Sequence, residues 1–242
     1  MEQKFAVITG GSRGIGFAAA KLLGEAGWLV GVIGRTPETT DAAVSALVDL
    51  EIDAVGFAAD VTSPEAMTAM AAHFENIAPI DVLVNSAGVM SEKTARTLRT
   101  SPEEWHRVMS INLDGVFNAI AAVTPAMVKR QSGRVINVSA CLGRMSGPGT
   151  AGGLAPYRIS KAAVNALTKN LAAELGQGTK GVVVDAMCPN HSRTDMGGPD
   201  APLSAEEGAD TIYWLATREL KNPDGTVVEN GLLWEERAIV PW

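Results

Sequence analysis

The sequence contains a tyrosine and a lysine whose types and spacing could do chemistry. Tyr157 and Lys161 follow Pro156, and proline favours the first turn of a helix. On a helix, the i, i+4 spacing places the phenol and the ammonium on one face. The ammonium favours the phenolate, so we expect Lys161 to lower the pKa of Tyr157 from its ordinary value of about 10. A phenol tuned in this way is a general acid and base.

A glycine-rich segment near the N-terminus has the composition of a phosphate-binding turn. The apolar run Lys4–Thr9 leads into Gly-Gly-Ser-Arg-Gly-Ile-Gly and then into an alanine-rich helical pattern. Glycines let the backbone turn tightly and approach a ligand, and the free amides at a helix N-terminus favour a phosphate. The cofactor-binding residues predicted in this turn are Gly10, Ser12, Arg13, Gly14, Ile15 and Gly16.

The residues after the second apolar run favour a phosphorylated dinucleotide. Many dinucleotide-binding folds place an acidic residue there, on the ribose 2′-hydroxyl, whereas this chain has Gly34-Arg35-Thr36. A carboxylate would repel a 2′-phosphate, while Arg35 and Arg13 could form charge-assisted hydrogen bonds with it. We therefore expect NADP(H) as the cofactor. The alternative is that both arginines are solvated surface residues.

Short apolar runs that alternate with helical patterns must position these residues. The predicted strands are Lys4–Thr9, Leu29–Ile33, Ala54–Ala58, Asp81–Asn85, Arg134–Val138 and Gly181–Met187. The predicted helices are Gly14–Ala26, Pro37–Leu50, Pro64–Asn76, Pro102–Arg130 with a potential kink at Pro125, and Pro156–Leu175. This order predicts an α/β fold, a Rossmann-type doubly wound parallel sheet of about seven strands with helices on both faces. Ligands of such a sheet bind at the carboxyl ends of its strands.

Composition limits what the chain can bind. The 242 residues carry a formal net charge of −7 with 46% hydrophobic residues, which fits one folded domain over residues 1–242 and disfavours a nucleic-acid or anionic-membrane partner. Every apolar run is interrupted early, so we expect no membrane span. The two cysteines, Cys141 and Cys188, make no disulfide framework, and the N-terminal Met-Glu-Gln-Lys lacks the layout of a signal peptide. We expect a reducing, cytoplasmic environment.

Taken together, these motifs resemble the short-chain dehydrogenase/reductase family over nearly the whole chain. Asn85-Ser-Ala-Gly88 resembles the turn that this family writes Asn-Asn-Ala-Gly. The resemblance implies that Tyr157 and Lys161 are the catalytic pair, with Lys161 also on the nicotinamide ribose. It implies that Asn112 supports a proton-relay water. Further cofactor-binding residues that it implies are Asp60, Val61, Asn85, Ala87, Gly88, Tyr157, Lys161, Pro189 and Thr194.

Two further segments resemble a group of bacterial carbonyl reductases. These are Arg193–Gly198 and the ending Ile239–Trp242. Relatives usually form homodimers or homotetramers through their two long helices, here Pro102–Arg130 and Pro156–Leu175, so a homo-oligomer is expected.

One position departs from the family pattern. After the fifth strand the family usually has a serine that hydrogen-bonds the substrate carbonyl, and Ala140 occupies that position. Ser139 could substitute only if the strand ends or bulges, because successive strand residues point to opposite faces. Ser146 could substitute only if its loop folds back. Three interpretations are open: a deliberate substitution, compensation by a neighbour, or a reaction that does not need the hydroxyl.

The substrate pocket is expected in the loops of residues 142–155 and 190–202. Asn190 replaces a glycine that is common in the family, and asparagine tolerates a positive φ, so the turn can survive. With His191 it adds polar groups to the pocket, although both could equally face solvent. The predicted pocket residues are Cys141, Leu142, Ser146, Asn190, His191 and Met196. No metal-ligand spacing is apparent.

The resemblance implies reversible hydride transfer between NADPH and a carbonyl, a ketone or aldehyde, with Tyr157 as the proton donor. An imine can enter already protonated and depends less on the donor missing at Ala140, so a C=N substrate is the alternative. A catalytically impaired variant or an NADP(H)-binding sensor is the further alternative.

Overall fold

The computed structural model describes residues 3–242 and contains one sheet with the strand order β3-β2-β1-β4-β5-β6-β7-β8. The strands are β1 (Phe5–Thr9), β2 (Leu29–Gly34), β3 (Ala54–Ala58), β4 (Val82–Asn85), β5 (Gly133–Val138), β6 (Val182–Cys188), β7 (Leu233–Glu235) and β8 (Ala238–Val240). All neighbouring pairs are parallel except β7 and β8. The predicted α/β class is confirmed, with eight strands instead of about seven. Met1 and Glu2, at the start of the segment compared with a signal peptide, lie outside the described residues.

Within residues 3–242, seven α-helices cover the two faces of the sheet. They are α1 (Gly14–Glu25), α2 (Pro37–Val48), α3 (Pro64–Glu75), α4 (Pro102–Met109), α5 (Gly115–Arg130), α6 (Ala155–Glu174) and α7 (Ala205–Thr217). Helices α3, α5 and α6 form one buried apolar layer with the sheet, and α1, α2 and α7 form the other. The central strands are mainly apolar because both of their faces are buried.

The first three strands are added to one side of the sheet and the next strands to the other, so the strand order reverses between β1 and β4. β1 pairs with β2 on one side and with β4 on the other, both in parallel register. The connections that leave β1 and β4 therefore run to opposite faces, and a crevice opens at the carboxyl ends of these strands. The glycine-rich turn after Thr9 and the segment after Asn85 border that crevice.

The segment after Cys188, where no strand or helix was predicted, contains α7 and two further strands. Ser204 and Glu207 form a capping box at the start of α7, a signal that is visible in the sequence as Ser-x-x-Glu. The buried carboxylate of Asp185 on β6 pairs with Arg218 at 2.7 Å and accepts the indole N–H of Trp234 at 3.0 Å. These contacts attach β7 to the sheet.

The predicted helix Pro102–Arg130 is continuous but changes its winding. A π-helical turn over Ser110–Asp114 separates α4 from α5, while Pro125 lies inside α5, so the irregularity is not at the proline. By length and composition this helix could cross a membrane, contrary to the expectation that no apolar run is long enough. Half of its apolar stretch is buried inside the protein. The helix packs on α3 and β5, as the core helix of a folded domain does.

Candidate active site

A cleft of about 610 Å³ lies at the carboxyl ends of the strands. Its lining includes the predicted cofactor-binding residues with the exception of Asn85. The predicted residues that line it are Gly10, Ser12, Arg13, Gly14, Ile15, Gly16, Arg35, Asp60, Val61, Ala87, Gly88, Tyr157, Lys161, Pro189 and Thr194. One elongated cleft thus joins the glycine-rich turn to the tyrosine–lysine pair.

The glycine-rich turn approaches the backbone after β4 too closely for a side chain. Gly10 has φ +65°, and a Cβ there would lie 2.7 Å from Cα of Ala87. A Cβ on Gly16 would lie 2.3 Å from the carbonyl oxygen of Gly10. Helix α1 begins behind this turn without a side-chain cap at Arg13, so its first amides are available to an anion. The turn fits the pyrophosphate of a dinucleotide.

Asn85 was predicted to bind the cofactor and instead joins two strands. Its side chain is buried, and its Nδ2 donates to Oδ1 of Asn137 at 2.8 Å. Asn137 in turn donates to Oγ1 of Thr168 on α6 at 2.9 Å. The Asn85 side chain therefore ties the ends of β4 and β5 to α6, and a contact between Asn85 and the cofactor stays a prediction.

Two arginines lie at the rim of the cleft, at the end of the glycine-rich turn and the end of β2. Arg13 pairs with Asp195 at 2.9 Å, and both side chains are about three-quarters exposed, at 75% and 78%. Such an exposed pair is weak, at about 0–1 kcal/mol, so the guanidinium can exchange this partner for a ligand. Arg35 is exposed and lines the cleft.

Tyr157 and Lys161 lie in the first turns of α6, and both are buried, at 6% and 5% exposure. Nζ of Lys161 donates to the carbonyl oxygen of Val138 at 2.7 Å and lies 5.9 Å from the centre of the Tyr157 ring. Burial raises the pKa of Tyr157 to about 12 and lowers that of Lys161 to about 8. The prediction that the tyrosine pKa is lowered is therefore wrong for the chain without cofactor, because burial removes hydration from the phenolate and raises the pKa. The phenol is protonated at neutral pH.

Asn112 lies in the π-helical turn and clamps the segment after β4. Its Oδ1 accepts from the amide of Val89 at 2.8 Å, and its Nδ2 donates to the carbonyl of Val89 at 2.9 Å and to Oγ of Ser160 at 3.1 Å. Ser160 donates to the carbonyl of Tyr157 at 2.8 Å. Asn112 thus positions α6. Its predicted support of a relay water stays a prediction. Ser160 was not predicted from the sequence, which gives no signal for it beyond its place between Tyr157 and Lys161.

The position of the usual serine carries no hydroxyl, and both predicted substitutes make other contacts. Ser139 lines the cleft, but its buried hydroxyl lies 2.5 Å from Oδ1 of Asn165, to which it donates. Strand β5 ends at Val138, but the amide of Ser139 still donates to the carbonyl of Met187 at 2.7 Å, and the Ser139 hydroxyl contacts Lys161 and Asn165 of α6. Ser146 lies outside the cleft lining, with Oγ 3.5 Å from the guanidinium of Arg144. Ala140 is 8% exposed and directly follows Ser139.

Among the predicted pocket residues, Met196 lines the cleft, whereas Cys141, Leu142, Ser146, Asn190 and His191 do not. Asn190 has φ +56°, as predicted, but its Nδ2 donates to Glu236 at 2.9 Å. Nε2 of His191 contacts the carbonyl of Gly197 at 2.8 Å. These polar side chains hold the turn after β6, and their place in the substrate pocket stays a prediction.

Cys141 and Cys188 form a disulfide, contrary to the expectation of reduced cysteines. Cys188 is the last residue of β6, and Cys141 opens a short 3-10 turn after β5. Because β5 and β6 are parallel neighbours, their ends bring the two cysteines together. Spacing along the chain gave no sign of this, since 47 residues separate them.

The fold and the cleft define a Rossmann-type dinucleotide-binding protein. The family model described as short chain dehydrogenase matches residues 4–202. The 3-oxoacyl-[acyl-carrier-protein] reductase FabG of Vibrio cholerae is 37% identical over 225 residues, which cover 92% of this chain and 86% of that protein. FabG of Chlamydia trachomatis is 36% identical over 195 residues, covering 80% of this chain and 75% of that protein.

Solved structures agree with this assignment. A tryptophan variant of actinorhodin polyketide ketoreductase with NADPH superposes with a TM-score of 0.82 at 27% identity, covering 96% of this chain and 95% of that chain. A 3-oxoacyl-[acyl-carrier protein] reductase of Brucella melitensis with bound NAD superposes with a TM-score of 0.81 at 30% identity, covering 97% and 89%. The chain belongs to the short-chain dehydrogenase family. It is an oxidoreductase that uses a nicotinamide dinucleotide.

The burial of Lys161 gives a pH-dependent contribution to stability in the cofactor-free protein. Its pKa is about 8 in the folded chain against 10.5 ordinarily, so between these values the unfolded chain binds the extra proton and stability rises with pH. We expect the free energy of unfolding of the wild type, minus that of Lys161→Met, to rise by up to about 3 kcal/mol from pH 8 to 10.5.

Urea unfolding of both proteins across this pH range measures the difference, and the titration of Tyr157 cancels because both proteins contain it. A difference that does not change with pH would contradict the buried ammonium.

Proposed function

We propose that the chain is an NADPH-dependent reductase that converts a ketone or aldehyde to an alcohol. The observation that carries this proposal is the buried Tyr157–Lys161 pair at one end of a cleft whose rim holds Arg13 and Arg35. Relatives named 3-oxoacyl-[acyl-carrier-protein] reductase, at 35–37% identity, support a carbonyl as the reacting group.

Each catalytic side chain has a role that its surroundings support. The bound nicotinamide supplies a hydride to the substrate carbon. Tyr157, protonated at neutral pH, donates its proton to the substrate oxygen as negative charge develops there. Lys161 reaches the cleft beside it, and its ammonium stabilises the resulting phenolate. Asn112 and Ser160 hold α6 against the segment after β4, so the phenol keeps one position relative to the cleft.

The preference for NADPH follows from charge at the adenosine end of the cleft. Arg35 at the end of β2 occupies the place where a carboxylate would select NADH, and Arg13 faces the same rim. A doubly charged 2′-phosphate can replace Asp195 as the partner of Arg13 and can form charge-assisted hydrogen bonds with both guanidinium groups.

The first test reverses the charge at this rim. In Arg35→Asp we expect KM for NADPH to rise about tenfold to a hundredfold, because a charge-assisted bond is lost and repulsion is added. KM for NADH should change by less than about threefold. Lys221→Asp, the same change of charge on an exposed lysine outside the cleft lining, is the matched control. If Arg35→Asp leaves the preference for NADPH over NADH unchanged, Arg35 does not select the cofactor and the proposal of NADPH is contradicted.

Reduction of an imine is the second candidate, and the alanine at position 140 favours it. The hydroxyl of Ser139 faces Asn165, and Ser146 lies outside the cleft lining, so Tyr157 is the proton donor that the substrate meets. A protonated imine carries its own proton and places no negative charge on its nitrogen. It therefore depends less on a second donor than a ketone does.

Restoring the serine separates the two substrates. Loss of one donor to a developing oxyanion costs about 3–4 kcal/mol in other enzymes. If ketones are the substrates, Ala140→Ser should raise kcat/KM on a ketone panel by about a hundredfold to a thousandfold. On a cyclic-imine panel the change should stay within a few-fold.

NADPH oxidation on both panels is the measurement. Ala121→Ser, the same substitution at an exposed position of α5, is the control. No gain on ketones would show that the chemistry does not use a hydroxyl at position 140, and activity of the wild type confined to imines would replace the carbonyl assignment.

We further propose that the chain is a single domain that works as a cytoplasmic homodimer or homotetramer on a small-molecule substrate, without a nucleic-acid or membrane partner. The formal net charge of −7 supports the exclusion of polyanionic surfaces.

A further inference from the structure

The two cysteines of the chain meet beside the cleft. Cys141 directly follows Ala140, and Cys188 directly precedes the cleft-lining Pro189. Their Cα atoms lie 5.7 Å apart, inside the range of about 4.4–6.8 Å that a disulfide spans. The bond therefore joins the turn after β5 to the start of the turn after β6. Each cysteine is one residue along the chain from Ala140 or Pro189.

The two sulfurs have different surroundings. Cys188 is buried, and its Sγ accepts the amide N–H of Cys141 at 2.9 Å and that of Asn190 at 3.4 Å. Cys141 is half-buried and lies 3.1 Å from a carboxylate oxygen of Glu235. A thiolate from solution can reach Cys141 more readily than Cys188. The two amides would stabilise the thiolate that leaves from Cys188.

We propose that Cys141 and Cys188 are a reversible redox site that controls the fit of the cofactor. In oxidation, the Cys141 thiolate attacks a low-molecular-weight disulfide and releases one of its thiolates. The Cys188 thiolate then attacks the Cys141 sulfur of the mixed disulfide and releases the second. The protein loses two protons and two electrons, and the small disulfide becomes two thiols. Reduction is the reverse, with attack at Cys141 and departure of Cys188.

The bond affects the cofactor through the turn that begins at Pro189. Asn190 holds a positive φ in this turn, and Thr194 at its far end lines the cleft. The disulfide fixes the start of the turn to the end of β5. Reduction removes this restraint, so binding must then order the turn, and the affinity falls.

The two cysteine sulfurs could instead bind a metal ion together with Glu235. The two sulfurs and a Glu235 oxygen lie within 4.8 Å of one another, and two thiolates with a carboxylate are ligands that zinc accepts. The disulfide uses the sulfurs for a covalent bond instead. Bound zinc at full occupancy would therefore exclude the redox site.

The test counts thiols and measures cofactor affinity in the same samples. The protein is equilibrated in buffers that run from reduced to oxidised glutathione, quenched with acid and alkylated, and the thiols are counted by intact mass. Because the chain has two cysteines, we expect the count to fall from two to none within this series. NADPH affinity, followed by the fluorescence of the bound cofactor, should be about three- to tenfold weaker in the reduced protein.

Cys141→Ser and Cys188→Ser are the paired controls. Neither can form the internal disulfide, so its one thiol can be lost only as a glutathione adduct, which intact mass resolves. Neither variant should show the redox response of NADPH affinity that the wild type shows. The measurement does not need a substrate, so its outcome is independent of whether ketones are reduced. A count that stays at two or at none throughout the series would overturn the proposal. So would a change in count without a change in affinity, or stoichiometric zinc in the purified protein.

Discussion

The site depends on the contact between the carboxyl end of β5 and the first turns of α6. The Lys161 ammonium donates to the carbonyl of Val138 at 2.7 Å, and the Ser139 hydroxyl donates to Asn165 one turn further along the helix. Gly143 lies against the same helix so closely that a Cβ would be 2.7 Å from the backbone carbon of Lys161. Strand end, turn and helix are therefore one packed unit, and the position of the phenol follows from it.

This contact has an electrostatic consequence. A lysine and a tyrosine that are both buried lose hydration, so burial lowers the pKa of Lys161 and raises that of Tyr157. The cofactor-free site thus holds a protonated phenol beside an ammonium with a single backbone acceptor. An anionic dinucleotide with free ribose hydroxyls offers the ammonium further partners. Under the proposed function, Tyr157 is the proton donor toward the substrate and Lys161 is the cation toward the cofactor.

Local patterns in the sequence predicted the alternating strands and helices of the fold. The strands β1 to β6 and the glycine-rich turn are recognisable because apolar runs and glycine spacing follow from backbone geometry. The roles of Asn85, Asn190 and Cys141 could not be predicted in this way. Each is set by a partner at least 46 residues away, Asn137, Glu236 and Cys188 respectively. The capping box of α7 was a local signal, but the strands that follow it are short and depend on Asp185 and Trp234.

The alanine at position 140 makes the distinction between a reductase and a dinucleotide sensor the central question. The most direct measurement is the transfer of deuterium from NADPH that carries deuterium at both C4 positions of the nicotinamide, in the presence of a ketone and a cyclic imine. A reductase places one deuterium on the reduced carbon of the product, detected by mass spectrometry. If NADPH binds and neither substrate acquires deuterium, the chain holds the cofactor without using it, and the account given for Tyr157 and Lys161 is wrong.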